Sequence, residues 1–202
     1  MSSSPPLPRP VPDPVDRPAP GTALPVHEWP VATERLSLRP VVADDAEAFL
    51  GWRSRPDVVQ FMYQPPWDLP TAETKLRTWS SAPFDEVGDV LVLAIEVDGA
   101  VAGEAMLKWA PGPRQAELGY ALHPDVSGRG LATEAARATL ELAFTRYGFH
   151  RVYARIDEEN AASVRVAERL GMRREAHLLE NDLRDGVWSN EVIYALLDRE
   201  LS

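Results

Sequence analysis

The chain has 202 residues, no cysteine and a formal net charge of −10 at pH 7. The absence of cysteine excludes a disulfide framework, a thiolate zinc site and a cysteine nucleophile, and the acidic charge favours cationic ligands over nucleic acid or an anionic membrane. The longest apolar run, from Val90 to Ile95, is too short to cross a bilayer, so we expect a cytoplasmic protein.

The first 30 residues contain ten prolines and few large apolar side chains. Such a segment cannot bury enough surface to offset the entropy lost on folding, and it lacks the apolar stretch of a secretory signal. We therefore predict an extended or disordered tail over residues 1–30, with partner binding by its prolines as the alternative, and one domain over residues 31–202.

The domain begins with a predicted strand at residues 35–39, where apolar and polar side chains alternate. Asp44 and Glu47 have the spacing of a capping box at the start of a first helix. A short helical turn follows around residues 58–62, and a third helix follows Thr71. Helices thus separate the first strand from the next.

Three strands come next. Residues 90–97 form an apolar run typical of a strand buried on both faces, and Asp98-Gly99 predicts a tight hairpin into a strand at residues 101–109. A third strand covers residues 117–122, and a helix then extends to about Thr145.

The last part of the chain alternates again between the two element types. Residues 151–156 predict a strand, and Asn160 caps a helix that ends before Gly171. Two strands, at residues 177–182 and 188–196, close the chain. This order predicts an α/β (α+β) fold with a mixed, mostly antiparallel central sheet flanked by helices.

The segment Ser127–Ala132 carries the clearest chemical signal. Gly128 and Gly130 flank Arg129 directly after a strand and before a helix. Glycine allows backbone N–H groups to approach a ligand, and the first turn of a helix presents unpaired N–H groups at the positive end of its dipole. The pattern predicts a pyrophosphate site, with a tight surface turn as the alternative; the segment offers no metal ligand.

The longer segment Leu122–Ala135, LHPDVSGRGLATEA, resembles the acetyl-CoA loop of the GNAT superfamily of N-acetyltransferases. Within that superfamily, four further stretches resemble the branch of ribosomal-protein N-terminal acetyltransferases: Thr33–Arg39, Glu117–Tyr120, Asn160–Met172 and Arg184–Trp188. The resemblance covers roughly residues 33–197. It implies a GNAT-like fold and transfer of acetyl from acetyl-CoA to a primary amine, on a small molecule or at a peptide or protein N-terminus, by direct attack in a ternary complex.

The resemblance also implies which residues contact the co-substrate: Leu122, His123, Gly128, Arg129, Gly130, Leu131, Ala132, Thr133, Asn160 and Ser163. A backbone N–H near the end of the fourth strand of the family fold polarises the thioester carbonyl. Pro124 has no N–H, so Leu122 or His123 must supply it. No metal is implied.

Catalysis requires a base, because an alkylammonium has a pKa near 10.4 and must lose a proton before attack. Glu117 is the first candidate, with a surface carboxylate or a salt-bridge partner as the alternative. Glu104 is the second, with an ordinary exposed strand residue as its alternative. Many relatives have a tyrosine general acid where Ala167 stands here, and the branch resembled implies Ser163 instead, with helix capping as the alternative.

Three questions stay open at this level. The same loop would also serve a non-catalytic acyl-CoA-binding sensor or interaction module, which is the alternative function. The acceptor could be an antibiotic, a polyamine or a protein N-terminus. In the branch resembled, the final hairpin often pairs subunits, so a homodimer is expected to be possible.

Overall fold

The computed structural model describes residues 28–184 and 186–201; most of the predicted tail, residues 1–27, lies outside the described residues, as does Asp185 in the last turn. Eight strands form one sheet: β1 Val31–Ala32, β2 Ser37–Pro40, β3 Val90–Val97, β4 Ala100–Ala110, β5 Gln115–Leu122, β6 Arg151–Asp157, β7 Arg173–Arg184 and β8 Val187–Leu197. The helices are α1 Ala46–Arg53, α2 Pro56–Val59, α3 Leu69–Ser81, α4 Leu131–Glu141, extended by a π turn over Leu142–Arg146, and α5 Ala161–Arg169.

The strand order is β1-β2-β3-β4-β5-β6-β8-β7, and every neighbouring pair is antiparallel except β5–β6. The predicted mixed, mostly antiparallel sheet is therefore confirmed. The predicted hairpin after β3 is confirmed too, because Asp98 and Gly99 both adopt positive φ, 52° and 80°, as a tight two-residue hairpin turn requires.

The start of α1 differs from the prediction. The carboxylate of Asp45 accepts the N–H of Val42 at 2.8 Å and binds the Arg39 guanidinium at 2.8 Å. The predicted capping box of Asp44 and Glu47 is therefore wrong. Arg39 draws Asp45 into a buried position, and Asp45 satisfies the free N–H instead.

The sheet separates two layers of core. Alternate side chains of a strand point to opposite faces, so Leu118, Val152 and Tyr194 pack with α4 and α5 on one face. On the other face, Val92 and Ala121 pack with the side chains of α1 and α3. A residue's face therefore follows from its position in its strand.

A gap opens in the middle of the sheet. Strands β5 and β6 pair only over residues 115–117 and 151–153. Beyond that point β5 stays paired with β4 as far as Leu122, and β6 stays paired with β8 as far as Asp157. The two strands therefore diverge, and a passage joins the two faces.

Two residues just before residue 31, the predicted start of the domain, contact the domain. Trp29 packs against the core under α4, and Glu28 lies 3.1 Å from Arg146. At the other end of the chain, the β7–β8 hairpin exposes Leu179, Leu183, Val187 and Trp188. The homodimer stays a prediction, and it would use this surface. None of the helices in the described ranges is long and apolar enough to span a membrane.

Candidate active site

A cavity of about 880 Å³ passes through the gap between β5 and β6. Gly128 and Thr133 of the glycine loop line one end, and Tyr120 lines the passage. Glu117 and Met106 line the other end, on the face that carries α1 and α3. One cavity therefore connects the predicted anion site with the first candidate base.

The glycine loop has the conformation that its composition predicts. Gly128 and Gly130 have φ values of 76° and 81°, and Gly130 is the N-cap of α4. Non-glycine residues adopt this left-handed region only at a cost. In the first turn of α4, Thr133 Oγ1 is buried without a hydrogen-bond partner in the part of the chain that the structure describes. Free polar groups at a helix N-terminus fit a phosphate group.

Cationic side chains surround this end of the cavity unevenly. Arg165 and Arg169, both on α5, line it, and sequence reasoning did not single them out. The side chain of Arg129 is exposed and is not among the residues that line the cavity. Its carbonyl oxygen instead accepts a hydrogen bond from Arg35 at 2.8 Å, so the predicted contribution of Arg129 to phosphate binding stays a prediction.

The glycine loop is tied to the start of the domain. Glu134 Oε1 accepts hydrogen bonds from the N–H of Arg35 at 2.8 Å and from the hydroxyl of Thr33 at 2.6 Å, and Glu134 Oε2 lies 2.7 Å from Arg35 Nε. Although desolvation acts to raise it, these hydrogen bonds leave the pKa of Glu134 below its ordinary value. We call Thr33, Arg35 and Glu134 the loop clamp.

The backbone of β5 decides which amide can face a ligand. The N–H of His123 donates to the carbonyl of Ala102 at 2.8 Å, and His123 does not line the cavity. Successive N–H groups of a strand point in opposite directions, so those of Leu122 and Tyr120 point away from β4 and into the gap. Of the two predicted oxyanion donors, the structure leaves Leu122 available and adds Tyr120.

His123 instead has a structural position. Its Nδ1 accepts the N–H of Asp125 at 3.2 Å, and its ring packs on α1, where a Cβ on Gly51 would approach His123 Cδ2 to 2.7 Å. The predicted contact between His123 and the co-substrate therefore has no support from this geometry, because the backbone N–H pairs within the sheet.

The N-terminus of α5 borders the passage. Asn160 Oδ1 accepts the N–H of Ser163 at 3.1 Å, which confirms the predicted cap, and both residues line the cavity. Tyr120 donates its hydroxyl to the Ser163 carbonyl at 3.3 Å, and burial raises the pKa of Tyr120 to about 12. Ser163 as general acid stays a prediction, and Tyr120 is a second hydroxyl at the same place.

Glu117 is the last residue of β5 that pairs with β6, opposite Tyr153. Its side chain is half-buried on the face of α1 and α3, and it has no hydrogen bond or ion pair to a described residue. Desolvation raises the pKa of Glu117, although Arg155 and Lys108 oppose the rise. A carboxylate with a raised pKa at the mouth of the passage is suited to accept a proton.

Glu104 has a different environment. It is buried and pairs with the buried Arg53 guanidinium at 2.5 Å; desolvation raises the pKa of Glu104 and Arg53 opposes the rise. The alternative interpretation as an exposed strand residue is therefore wrong. Glu104 lies opposite Ala121 and Glu117 opposite Lys108, so at about 3.4 Å per residue their Cα atoms are about 14 Å apart. The two carboxylates do not form one catalytic pair.

The core beside the cavity contains Trp67, whose neighbours Arg53 and Trp79 were not predicted as site residues. Trp67 is buried, and the Arg53 guanidinium lies 4.5 Å from its ring centroid. Trp79, which packs on Trp67 at a centroid distance of 5.6 Å, lines the cavity instead. Only the pairing of α1 with β4 brings Arg53 to Glu104, and no sequence spacing marks this contact.

Within residues 28–184 and 186–201, no group of three or more histidine, aspartate or glutamate side chains is arranged to hold a metal ion.

A family model described as an acetyltransferase (GNAT) domain matches residues 35–173. An uncharacterized N-acetyltransferase of Bacillus subtilis (strain 168), YnaD, is 28% identical over 170 residues, which cover 84% of this chain and 98% of that protein. The spermidine N(1)-acetyltransferase of Escherichia coli (strain K12) is 25% identical over 131 residues, or 58% of this chain and 70% of that one. The structure of Mycobacterium smegmatis RimJ in complex with CoA-disulfide has a TM-score of 0.70 at 27% identity and covers 82% of this chain and 83% of its own.

Proposed function

This chain belongs to the GNAT family of N-acetyltransferases, and we propose that it transfers an acetyl group from acetyl-CoA to a primary amine in a ternary complex, in the cytoplasm. The observation that carries the proposal is the single cavity that joins the glycine loop to Glu117 through the gap in the sheet. It would place a thioester at the divergence of β5 and β6, with the amine on the face of α1 and α3.

In the proposed binding mode, acetyl-CoA is a substrate whose phosphates lie on the N–H groups of residues 128–133. The positive φ values of Gly128 and Gly130, together with the unpartnered Thr133 Oγ1, support this site. The acyl arm would follow β5, where Leu122 and Tyr120 offer N–H groups, and would pass Asn160 and Ser163.

The proposed reaction proceeds by direct attack. The neutral amine forms a C–N bond with the thioester carbonyl carbon, while the N–H of Tyr120 or Leu122 stabilises the negative charge on the carbonyl oxygen. The C–S bond then breaks, and the proton from the nitrogen passes to Glu117 and from there to solvent. The departing thiolate takes a proton from water, either directly or through the hydroxyl of Ser163, which water protonates again. The products are the acetylated amine and free coenzyme A.

A direct test uses the purified full chain with acetyl-CoA and a panel of primary amines. We expect free coenzyme A and the acetylated amine to appear together in amounts that match, as measured by thiol titration and mass spectrometry. Saturable binding of acetyl-CoA by calorimetry without turnover of any amine would instead favour the sensor function. Absence of binding would overturn both functions.

The loop clamp gives a separate prediction about the co-substrate. Replacing Glu134 by glutamine removes the charge that holds Arg35 and should loosen the glycine loop, because Arg35 also binds the Arg129 carbonyl. We expect the Kd for acetyl-CoA to rise about 5- to 10-fold, in line with one charge-assisted hydrogen bond, while the KM for the amine stays unchanged. Calorimetry and steady-state kinetics measure the two effects.

Glu141 is the matched control for this change. Glu141 is exposed and lies on the same helix two turns later. Glu141→Gln should therefore leave the Kd for acetyl-CoA within twofold of the wild-type value. Equal effects of the two substitutions would contradict a specific role of the clamp.

A further inference from the structure

The acceptor end of the cavity has an apolar wall next to Glu117. Met106 lies opposite Val92 on β3 and opposite Gly119 on β5, and a Cβ on Gly119 would approach Met106 Cε to 3.0 Å. Met106 therefore covers Gly119. Because Gly119 and Glu117 are two residues apart, Met106 and Glu117 are diagonal neighbours on one face of the sheet, with their Cα atoms about 7–8 Å apart.

The helical side of the cavity continues this wall. Apolar side chains face it from α2, the following segment, α3 and the two strands. They include Val58, Phe61, Met62, Trp79, Val92 and Met106. All but Val92 are half-buried, so their apolar surface is open to a ligand that enters. Burying apolar surface there would stabilise a bound apolar group, because that surface is removed from water.

The carboxylates that form the acidic wall of the cavity are mostly bound by other groups of the protein. Glu191 is buried and binds Arg155 at 2.5 Å. Of the two other buried carboxylates that line the cavity, Glu104 pairs with Arg53, and Asp157 accepts the hydroxyl of Tyr63 at 2.8 Å and the N–H of Glu159 at 2.8 Å. A polycation needs several free carboxylates spaced along its length.

The two more exposed carboxylates are paired as well: Asp182 is 32% exposed and lies 3.5 Å from the same Arg155, and Asp57 lies 3.0 Å from Arg55. Of the carboxylates on this wall, Glu117 alone lacks both a hydrogen bond and an ion pair to the described residues. The cavity thus has one free carboxylate beside a broad apolar surface.

From this arrangement we propose that the acceptor is a primary amine borne on an apolar group, either an alkyl or aryl-alkyl amine or the amino terminus of a peptide whose first side chain is apolar. This inference rests on the proposed function. It excludes a polyamine as the preferred acceptor, although the spermidine N(1)-acetyltransferase is a relative. The amine would lie at Glu117, and its apolar substituent would lie against Met106 and Trp79.

The test compares kcat/KM for hexylamine, for 5-aminopentanol of the same length, and for the longer spermidine. Hexylamine should exceed 5-aminopentanol and spermidine by about 10-fold or more, because a pocket without a polar partner discriminates against a hydroxyl or a second charge. Peptides that begin with leucine or serine form the second arm, in which the leucine peptide should have the higher kcat/KM. Comparison of the leucine peptide with hexylamine then distinguishes a peptide acceptor from a small amine. Turnover in which 5-aminopentanol or spermidine equals hexylamine would overturn this inference alone, whereas absence of turnover with every amine would overturn the proposed function as well.

A substitution tests the location of the apolar site. Met106→Gln keeps the length of the side chain and adds a polar group, so the ratio of kcat/KM for hexylamine to that for 5-aminopentanol should fall about fivefold or more. The ratio is independent of the folded fraction of the variant. Val87→Gln is the control, because Val87 is exposed and does not line the cavity; an equal change in both variants, or no change in Met106→Gln, would refute the location.

Discussion

Replacing Glu117 by glutamine is expected to lower kcat about 100- to 1,000-fold, because the attacking amine would lose its general base, a group that contributes about 10²–10⁴-fold in other enzymes. The Kd for acetyl-CoA should stay unchanged, since Glu117 lies on the acceptor face of the sheet. Steady-state kinetics with a saturating amine and calorimetry with acetyl-CoA measure the two quantities. Glu73→Gln, on the exposed side of α3, is the matched control.

The pH dependence gives a second readout for the same residue. A base is active when it is deprotonated, so kcat/KM should rise with pH through the pKa of Glu117. Desolvation raises that pKa, so the rise should lie at higher pH than about 4.3, the ordinary value for glutamate. The Gln variant should lose this limb of the profile, and an unchanged limb would assign the base to another group.

Stability separates the catalytic role from a structural one. Because the folded-state pKa is raised, the penalty for holding the Glu117 carboxylate in its charged form appears as the pH rises from the unfolded value through the folded one. The penalty is complete at a pH above the folded-state pKa, and the Glu117→Gln substitution removes it. We therefore expect the Glu117→Gln variant to be at least as stable as the wild type at pH 7. If its loss of activity were caused by unfolding, the catalytic role of Glu117 would be contradicted.

Replacing Arg53 by alanine is expected to reduce the free energy of unfolding by about 3–5 kcal/mol, since it leaves the Glu104 carboxylate buried without its partner. The Arg53 and Glu104 side chains are only 10% and 5% exposed, and their atoms lie 2.5 Å apart. The loss also removes the packing of the guanidinium on Trp67. Urea unfolding at pH 7, followed by tryptophan fluorescence and circular dichroism, measures the change.

Two further variants make this prediction specific. Arg53→Met combined with Glu104→Met should recover most of the lost stability, because apolar side chains of similar size can replace a buried ion pair at little cost. Arg55→Ala breaks the exposed pair with Asp57 and should leave the urea midpoint unchanged. The Arg53→Ala variant should also become more stable as the pH falls, since protonation removes the unpaired charge of Glu104. A loss in Arg53→Ala no larger than that in Arg55→Ala would show that the pair does not stabilise the fold.

Glu117→Gln and Arg53→Ala are expected to have opposite effects on kcat and on the free energy of unfolding, and together they distinguish the two candidate carboxylates. Glu117 is half-buried and unpaired among the described residues, so its removal should affect chemistry and spare stability. Glu104 is buried and paired, so disturbing it should affect stability first. Similar sequence positions in adjacent strands thus have different roles because one carboxylate lies under α1 and the other lies at the gap.

Local chemistry in the sequence determined the features that depend on a few neighbouring residues. The Asp98-Gly99 hairpin, the Asn160 cap and the glycine loop were all predicted, because turn residues and caps act through the backbone of their own segment. The spacing of apolar residues predicted the strands and helices, and their order predicted the sheet and its flanking helices. The glycine loop predicted one end of the cavity.

The tertiary structure alone decided which side chains share the site. Arg53 meets Glu104 across 51 positions of the chain, and the N–H of Arg35 meets Glu134 across 99, so neither contact leaves a local pattern. The same holds for His123, whose N–H pairs with Ala102, and for Met106, which lies next to Glu117 only through the register of β4 and β5. The strand register and the divergence of β5 and β6 arise from the packing of the whole sheet. They determine the exposure, the charge state and the partners of each site residue, whereas the sequence determines only the residue type.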